Sequence, residues 1–434
     1  MIVSPAWRGR RYAVLGLARS GAATVRALLA SGAGVVAWDS DPAKREAVEG
    51  ATIADLDTID LEGFDALIVS PGVPLNTHPL AARARAAGVA IVGDIELFAE
   101  ARASLPPHKV VGITGTNGKS TVTALIHHIL QTAGVPSLMG GNIGLPILGQ
   151  KPLPEGGVYV LELSSYQIDL TRGLDCDVAV LTNITPDHLD RYESFEAYAA
   201  SKARLFAMQS ATHEMVIGVT DAASDSIAHS LSSRNEHLIL VGADAEGDQC
   251  DWPSLQGPHN AANAAMAMAA CARIGVGRDV IAEALRTFTG LPHRMERVAT
   301  VDGVTYVDDS KATNPESAAP AVAAYPRVHW IVGGRAKGDD LDACAPHYGH
   351  VVRTYAIGEA GPRFAAVLRA AGVSVADCGT LEIAVNAAWS AARPGETVLL
   401  SPACASFDQF ADYAARGLAF RRAVEALPVK EGAA

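Results

Sequence analysis

Short apolar runs alternate along this chain with longer stretches in which apolar positions recur every three or four residues. Residues 12–17, Tyr-Ala-Val-Leu-Gly-Leu, form the first run, residues 20–31 carry helical spacing that stops at Gly32, and residues 34–38 form a second run ending at Asp39. A short unbroken run suits a strand buried on both faces, and a period near 3.6 suits a helix lying across a sheet. The same pattern predicts strands at 66–69, just before Gly112, and at 158–163, 178–181, 304–307, 328–332, 354–357 and 397–400. Helices are predicted over 120–132, from about Phe195, and along the Ala-rich stretch that His259 opens. Alternating β and α pieces imply parallel sheets flanked by helices, an α/β fold.

Two breaks interrupt the alternation. One is Ser104-Leu105-Pro106-Pro107-His108, since Pro-Pro is poor inside any element; the other is Gly290-Leu291-Pro292-His293-Arg294-Met295-Glu296. They delimit three α/β domains at 1–104, 105–295 and 296–434, the number that a 434-residue chain implies. Hydrophobic residues make up 49% of the chain and charged residues 19%, which excludes extensive disorder. The net charge of −12 argues against a broad nucleic-acid surface. Any anionic ligand must therefore find a local cluster of Lys, Arg and backbone N–H groups. The 6 cysteines show no C-x-x-C spacing and suit reduced, buried thiols. No apolar run reaches membrane-spanning length, and the run after Arg8, Arg10 and Arg11 enters a Gly turn, so a strand is expected there and not a signal peptide. A soluble cytoplasmic protein follows, without nucleic-acid partner or membrane insertion; a monomer is expected.

Candidate chemistry gathers where the expected strands end. Residues 112–121 read Gly-Ile-Thr-Gly-Thr-Asn-Gly-Lys-Ser-Thr, close to the phosphate-loop pattern G-x-x-x-x-G-K-[ST], but Ile113 stands where that pattern has its first glycine. Glycines at 112, 115 and 118 are expected to bend the backbone so that N–H groups of Gly115, Thr116, Asn117 and Gly118 converge on phosphate oxygens. The loop then feeds a helix N-terminus, whose dipole favours anions. Lys119 can reach a terminal phosphate, and Ser120 or Thr121 can ligate Mg²⁺. Glu162 closes the apolar strand Val-Tyr-Val-Leu-Glu-Leu and can hold Mg²⁺ against those phosphates, with Ser164, Ser165 and Gln167 following on the turn.

Other positions carry weaker signals. His188, in Thr-Asn-Ile-Thr-Pro-Asp-His-Leu-Asp-Arg-Tyr, is either a second metal ligand or a surface loop histidine. Lys202, on the helix from Phe195, reads by itself as a solvated lysine. Asn260 and Asn263, at i and i+3, suit either an adenine or ribose edge or a helix cap. Arg294 stands at the second break, where it could meet phosphate. In the last domain, residues 307–315 (with Asp309, Lys311 and Thr313), Lys337 in a Gly-rich turn, and Ser401 to Asp408 suggest a pocket for carboxylates. In the first domain, Gly16-Leu17-Ala18-Arg19-Ser20-Gly21 is a degenerate dinucleotide-type turn, with Asp39 ending the next strand, so this domain suits a different nucleotide.

Taken together, these stretches resemble the Mur ligase family. The resemblance runs through Gly93-Asp94-Ile95-Glu96-Leu97-Phe98, residues 112–121, Gly140-Gly141-Asn142-Ile143-Gly144, 161–167, 187–192, 290–294, 309–314 and 401–410. The 93–98 and 401–406 stretches point to the family's D-glutamate-adding branch. The resemblance implies Rossmann-like first and third domains around a central P-loop ATPase-like domain. It implies ATP-dependent ligation of D-glutamate to UDP-N-acetylmuramoyl-L-alanine through an acyl phosphate, in peptidoglycan precursor synthesis. Lys119 would hold ATP phosphates, Ser120 or Thr121 with Glu162 one Mg²⁺, and His188 with a carbamylated Lys202 a second. Asn260, Asn263, Arg294 and Asp309 would contact ATP, and Lys311 the transferred phosphoryl group. Thr313, Lys337, Ser406 and Tyr413 would surround D-glutamate. UDP would lie against Arg19, Ser20, Asp39, Ser70, Pro71 and Gly72, with Asn142 and His188 nearer the sugar and acyl end, and Gln167 would be a further substrate contact.

Three departures from the family pattern stand out. Asp41 occupies a place where relatives carry a basic residue, Tyr413 replaces a Phe, and the interval from His188 to Lys202 is one residue short, so the Lys202 match rests on its Tyr-x-x-x-Lys context. Two other functions remain open from the residues. A folylpolyglutamate-type ligase would bind a pterin, and a nucleotide-gated binding protein would show no turnover for Lys119→Ala to remove.

Overall fold

The computed structural model describes residues 1–187, 190–242, 249–336, 338 and 340–428. Three sheets carry the architecture. The first is fully parallel and contains β1 (Arg11–Leu15), β2 (Gly34–Trp38), β3 (Thr52–Ile53), β4 (Ala66–Val69) and β5 (Ala90–Val92), in the order β3-β2-β1-β4-β5. The second is also parallel, with β6 (His108–Thr114), β7 (Ser137–Gly141), β8 (Gly157–Glu162), β9 (Val178–Leu181), β10 (Glu214–Gly218) and β11 (Leu238–Val241), in the order β11-β10-β9-β6-β8-β7. The third contains β12 (Glu296–Val301), β13 (Val304–Asp308), β14 (Val328–Gly333), β15 (Val351–Ile357), β16 (Val375–Gly379) and β17 (Thr397–Leu400), in the order β12-β13-β17-β14-β15-β16.

The inner strands β4, β8, β9, β14 and β17 are buried along their whole lengths. That explains their unbroken apolar runs, because a parallel strand covered by helices on both faces has no polar side to show. The strands expected at 34–38, 66–69, 178–181 and 397–400 have those limits. Sequence periodicity did not reveal β3, β5, β7, β10, β11, β12 or β16. β12 also departs from the expected parallel order: it pairs antiparallel with β13 through the turn at Asp302-Gly303.

The chain folds into two compact units, Met1–Ala245 with Ala262–Ala284, and Glu246–Ala261 with Leu285–Ala434. The first unit holds both parallel sheets, and a single buried cluster runs from Ile2, Val25 and Leu28 through Ile147 and Leu148 to Leu161 and Leu181. Its ties include Ile2 N–H to the Leu148 carbonyl at 2.9 Å and Trp7 Nε1 to Glu100 at 3.0 Å. The second unit is built on the third sheet, with one apolar cluster around Trp330 and Phe364 and another around Tyr306, Tyr355 and Phe420. Residues 285–295 and Glu246–Ala261, which sequence punctuation assigned to the central domain, lie in this second unit.

Strand order positions the sites. In the first sheet the order reverses between β1 and β4, and in the second between β6 and β9. Ligands of open α/β sheets collect at the carboxyl ends of strands beside such reversals.

Candidate active site

Gly112 and Ile113 lie inside β6 and not in the phosphate loop. A Cβ at Gly112 would sit 2.6 Å from Cys176 Sγ, so this glycine answers to strand packing, and the expectation that it bends the loop is corrected. Ile113 is fully buried. The loop proper is residues 115–118, running from β6 into the Lys119–Thr132 helix. Gly115 (φ 141°) and Gly118 (φ 82°) occupy left-handed backbone that L side chains rarely adopt. A Cβ on Gly115 would also collide with Thr182 Oγ1, and one on Gly118 with Asn263 Oδ1.

Residues 182–185, following the neighbouring strand β9, fix this loop from the side. Thr116 N–H donates to the Asn183 carbonyl (2.8 Å), Asn117 N–H to Asn183 Oδ1 (2.9 Å), and Thr182 Oγ1 to the Asn117 carbonyl (2.6 Å). Thr116 Oγ1 lies 3.1 Å from the Tyr198 hydroxyl. Lys119 Nζ folds over the loop to the carbonyls of Gly115 (2.9 Å) and Thr116 (2.7 Å). The N–H groups of Thr116 and Asn117 are thus taken up by Asn183, which corrects the expectation that they converge on phosphate oxygens; the helix N-terminus and the Lys119 ammonium are what suit a polyphosphate here.

Glu162 ends β8, beside β6, and is 2% exposed. Its Oε1 accepts from Asn142 Nδ2 at 2.9 Å, while Oε2 is buried and has no hydrogen-bond partner among the described residues. Ser120, in the first turn of the phosphate-loop helix, is 6% exposed, and Thr121 is half-buried. An orphaned carboxylate oxygen beside a hydroxyl-bearing helix start fits a hard divalent cation such as Mg²⁺.

Lys202 overturns the sequence picture of a solvated side chain. It lies on the Phe195–Ala207 helix, is 1% exposed, and donates from Nζ to the Gly115 carbonyl at 2.8 Å. Its Nζ also stands 4.5 Å from the Tyr198 ring centroid. Burial, helped by the charge of Lys119, pushes its pKa down to about 7 against the opposing pull of Asp187 and Asp169. His188 lies outside the described residues.

The first-domain turns are tightly cross-braced. Asp39 Oδ2 accepts from Leu17 N–H (2.7 Å) and Oδ1 from Asp41 N–H (2.9 Å). Burial pushes the Asp39 carboxyl up, but those two N–H groups and Lys44 outweigh it and hold the pKa below the ordinary value. Ser70 Oγ donates to the Gly16 carbonyl (2.9 Å), and a Cβ on Gly21 would collide with that same carbonyl. Asp41 N-caps the short Pro42–Glu46 helix, which brings Lys44 to 3.7 Å from Asp39 and Arg45 over the Trp38 ring. Two basic residues of that helix thus lie next to Asp39 and Trp38. Arg19 is exposed and donates to the Gly144 carbonyl (2.9 Å), and Ser20 is half-buried at the start of the Arg19–Ala30 helix.

A cavity of about 340 Å³ joins these pieces within the first unit. Pro71, Gly72, Lys119, Asn142, Tyr166 and Lys202 are among its walls. Gln167 is 2% exposed and its Oε1 accepts from the backbone N–H and hydroxyl of Ser164, in a capping box of the Ser165–Asp169 helix. It therefore shapes the wall at Ser164 and Ser165. Asn263, 5% exposed, lies against Gly118.

The second unit gathers a separate cluster at the carboxyl ends of β13 and β17. Asp309 accepts from Ser401 Oγ (2.7 Å) and Met295 N–H (3.2 Å), and burial pushes its pKa up to about 7. Asp308 pairs with His293 Nδ1 at 2.6 Å. Lys311 Nζ stands 5.1 Å from the Tyr413 ring, Thr313 and Arg294 are half-buried, and Ser406 is buried. Asn260, 4% exposed, donates to the Gln256 carbonyl at 3.1 Å. Lys337 lies outside the described residues. Sequence reading missed Arg416, which is 1% exposed and donates to the Ser310 carbonyl (2.7 Å), Ser310 Oγ (2.9 Å) and the Cys404 carbonyl (3.0 Å). It ties the loop after β13 to the loop after β17. Nothing local marks it, since its basic helix reads as a solvated face.

Comparison with known proteins gives a consistent picture. Family models match over most of the chain: the Mur ligase MurD-like N-terminal domain at residues 10–93, the Mur ligase middle domain at 113–253, and the Mur ligase glutamate ligase domain at 293–404. The UDP-N-acetylmuramoylalanine–D-glutamate ligase of Novosphingobium aromaticivorans is 61% identical over 430 residues, covering 98% of this chain and 97% of its own. The protein of that name from Zymomonas mobilis is 56% identical over 443 residues, covering 98% of this chain and 100% of its own. Among solved structures, the UDP-N-acetylmuramate-alanine ligase of Thermotoga maritima superposes with a TM-score of 0.58 at 16% identity, covering 96% of this chain and 99% of its own. At that identity it speaks for the three-domain fold alone.

Proposed function

Since the chain belongs to the Mur ligase family, we propose that it joins D-glutamate to the alanyl carboxylate of UDP-N-acetylmuramoyl-L-alanine with ATP as the energy source. The observation that carries this is the cavity in which the first-domain turn at Pro71 and Gly72 meets Lys119, Asn142 and Lys202. It can place a nucleotide-sugar's acyl end beside a phosphate loop. An alanyl carboxylate oxygen attacks the γ-phosphorus, the β–γ bridging bond breaks, and ADP leaves with an acyl phosphate formed. The D-glutamate nitrogen then attacks the acyl carbon, loses a proton, and phosphate departs from the tetrahedral intermediate to leave the amide. Catalysis of this kind is mostly charge placement. Lys119 and the N-terminus of its helix, entered through residues 115–118, hold the phosphates, and Lys311 steadies the transferred group. We assign D-glutamate to Thr313, Lys337, Ser406 and Tyr413, UDP to Arg19, Ser20, Asp39, Ser70, Pro71 and Gly72, and the nucleotide also to Asn260, Asn263, Arg294 and Asp309.

Mg²⁺, when bound, supplies positive charge to the phosphoryl oxygens. Ser120 or Thr121 with Glu162 would hold one ion, and His188 with Lys202 a second. A lysine can act as such a ligand only after its free amine adds to CO₂, forming an N–C bond and releasing a proton to give a carbamate. A pKa near 7 keeps a large fraction of Lys202 as the free amine at neutral pH. Domain limits of 1–104, 105–295 and 296–434, a monomeric state and a cytoplasmic location complete the proposal. Among the described residues no helix is long and apolar enough to cross a membrane. The decisive assay is ADP release by the purified protein. UDP-N-acetylmuramoyl-L-alanine plus D-glutamate should sustain it; no release with this pair, but release with another amino acid, overturns the specificity.

A further inference from the structure

Arg191 joins the first-domain turn to the catalytic half of the same unit. Its Nη2 donates to the Gly72 carbonyl and its Nη1 to the Val73 carbonyl, both at 3.1 Å. The guanidinium lies over the Tyr166 ring, 4.6 Å from its centroid. Tyr166 stacks on Tyr192 (6.0 Å, 10°), and Tyr192 packs edge-on against Tyr198 at 5.4 Å. The Tyr192 hydroxyl donates to Asp169 (2.7 Å) and meets Ser201 Oγ (3.3 Å), the residue before Lys202. A continuous set of side-chain interactions therefore runs from the turn at Gly72 to the helix that presents Lys202 under the phosphate loop.

On its first-domain side the turn packs Val73 and Leu75 against the apolar cluster around Leu15, Leu67 and Val69; its side toward Tyr166 is open. Pro71, Val73, Leu75 and Asn76 face a cavity of about 220 Å³ whose other walls include Tyr166, Arg191 and Tyr192. With a cavity between the turn and the central domain, its position relative to that domain depends on the hydrogen bonds that cross the gap. The planar fork of Arg191, lying over Tyr166, sets two adjacent carbonyls from two separate nitrogens; a lysine's ammonium can also reach two carbonyls, but without the fork's fixed spacing or its flat face against the ring. A second, weaker tie between the same segments is Asn76 Nδ2 to the Asp190 carbonyl at 3.4 Å.

We propose that Arg191 is a positioning residue for the nucleotide-sugar substrate: it fixes the turn at residues 71–73 against the central domain, so that the substrate's acyl end enters the phosphate-loop cavity in register. It rests on the ligase function proposed above. The test is direct binding of UDP-N-acetylmuramoyl-L-alanine by calorimetry together with steady-state kinetics, on the full-length wild type, Arg191→Lys, Arg191→Ala and Asn76→Ala. Both Arg191 variants should weaken substrate binding and raise its KM by about tenfold or more, as loss of a charged hydrogen-bond pair does. KM for ATP and D-glutamate should stay within about twofold, and melting temperature within about 2 °C, because neither the phosphate loop nor the core is touched. Asn76→Ala should shift the same constant in the same direction by less. Unchanged nucleotide-sugar binding overturns the proposal, as does a parallel rise in all three KM values with a fall in melting temperature, which would make Arg191 merely structural. A wild type that binds the nucleotide-sugar without releasing ADP overturns the ligase function instead, and the binding comparison still decides the role of Arg191. A wild type that does not bind it at all overturns both.

Discussion

Lys202 shows how far one side chain's meaning depends on what surrounds it. An ammonium taken out of water loses solvation that a single carbonyl acceptor does not replace, so burial at Gly115 drives it toward the free amine. The sign of its pH effect follows. The unfolded chain holds the proton up to the ordinary value of 10.5, while the folded chain releases it near 7. Between those limits the unfolded state binds more protons, so stability rises with pH across that window. In CO₂-free buffer the urea midpoint of the wild type should increase from pH 7 to pH 9, and Lys202→Met should flatten that rise; equal slopes would mean that the lysine stays charged. Carbamylation is checked on the same residue: Lys202→Ala should lose ligation and regain part of it with added short carboxylic acids. No rescue would leave the lysine without a ligand role. Sequence alone could not anticipate this burial. The acceptor lies 87 residues away, and the helix around Lys202 looks like any half-exposed helix.

Among the elements, the phosphate loop was the most legible, because its constraints are local. Positive φ at Gly115 and Gly118 and a lysine at the first helical position are written into consecutive residues. Gly118→Ala would add a Cβ colliding with Asn263 Oδ1 at a φ of 82°. Nucleotide binding should fall at least about tenfold and stability by roughly 1–3 kcal/mol, the scale of forced left-handed strain; calorimetry with an ATP analogue and denaturant unfolding would check both. Gly72→Ala is the contrast, with nothing within 4 Å of the added Cβ, so its unfolding midpoint should stay at the wild-type value. Buried inner strands such as β9 and β17 were legible to the residue, since burial on both faces leaves one kind of side chain. Edge and short strands were not, and neither was the inner, largely buried β10. β3 is two exposed residues, β7 ends on Gly140-Gly141, and β12 mixes exposed and half-buried positions. Each is a strand because a neighbour offers hydrogen bonds, which is a tertiary fact.

At the level of the whole molecule, the turn at residues 71–73 and the loop at 115–118 belong to one compact unit, in which an apolar cluster spans both parallel sheets. Ligand linkage should make this visible. A ligand at about 100 times its Kd stabilises the state that binds it by about 2.7 kcal/mol. UDP-N-acetylmuramoyl-L-alanine and a non-hydrolysable ATP analogue with Mg²⁺ should each raise the melting temperature of the wild type. Lys119→Ala should abolish the shift from the ATP analogue and keep the shift from the nucleotide-sugar. Loss of both would mean that Lys119 supports the fold and not a phosphate.

The sequence by itself determined the α/β class, the glycine-rich loop that enters a helix at Lys119, the acid at the end of a buried strand, and membership of a ligase family. These rest on periodicity and on residues that act within a few positions of one another. Tertiary structure alone decided that Gly112 belongs to a strand packed on Cys176, that Lys202 is buried against the loop, and that Glu162 keeps one carboxylate oxygen without a partner among the described residues. It also decided that Arg191 and Arg416 hold carbonyls more than a hundred residues away. A backbone carbonyl has no side-chain signature, so no pattern in the chain can announce which distant arginine it will accept from.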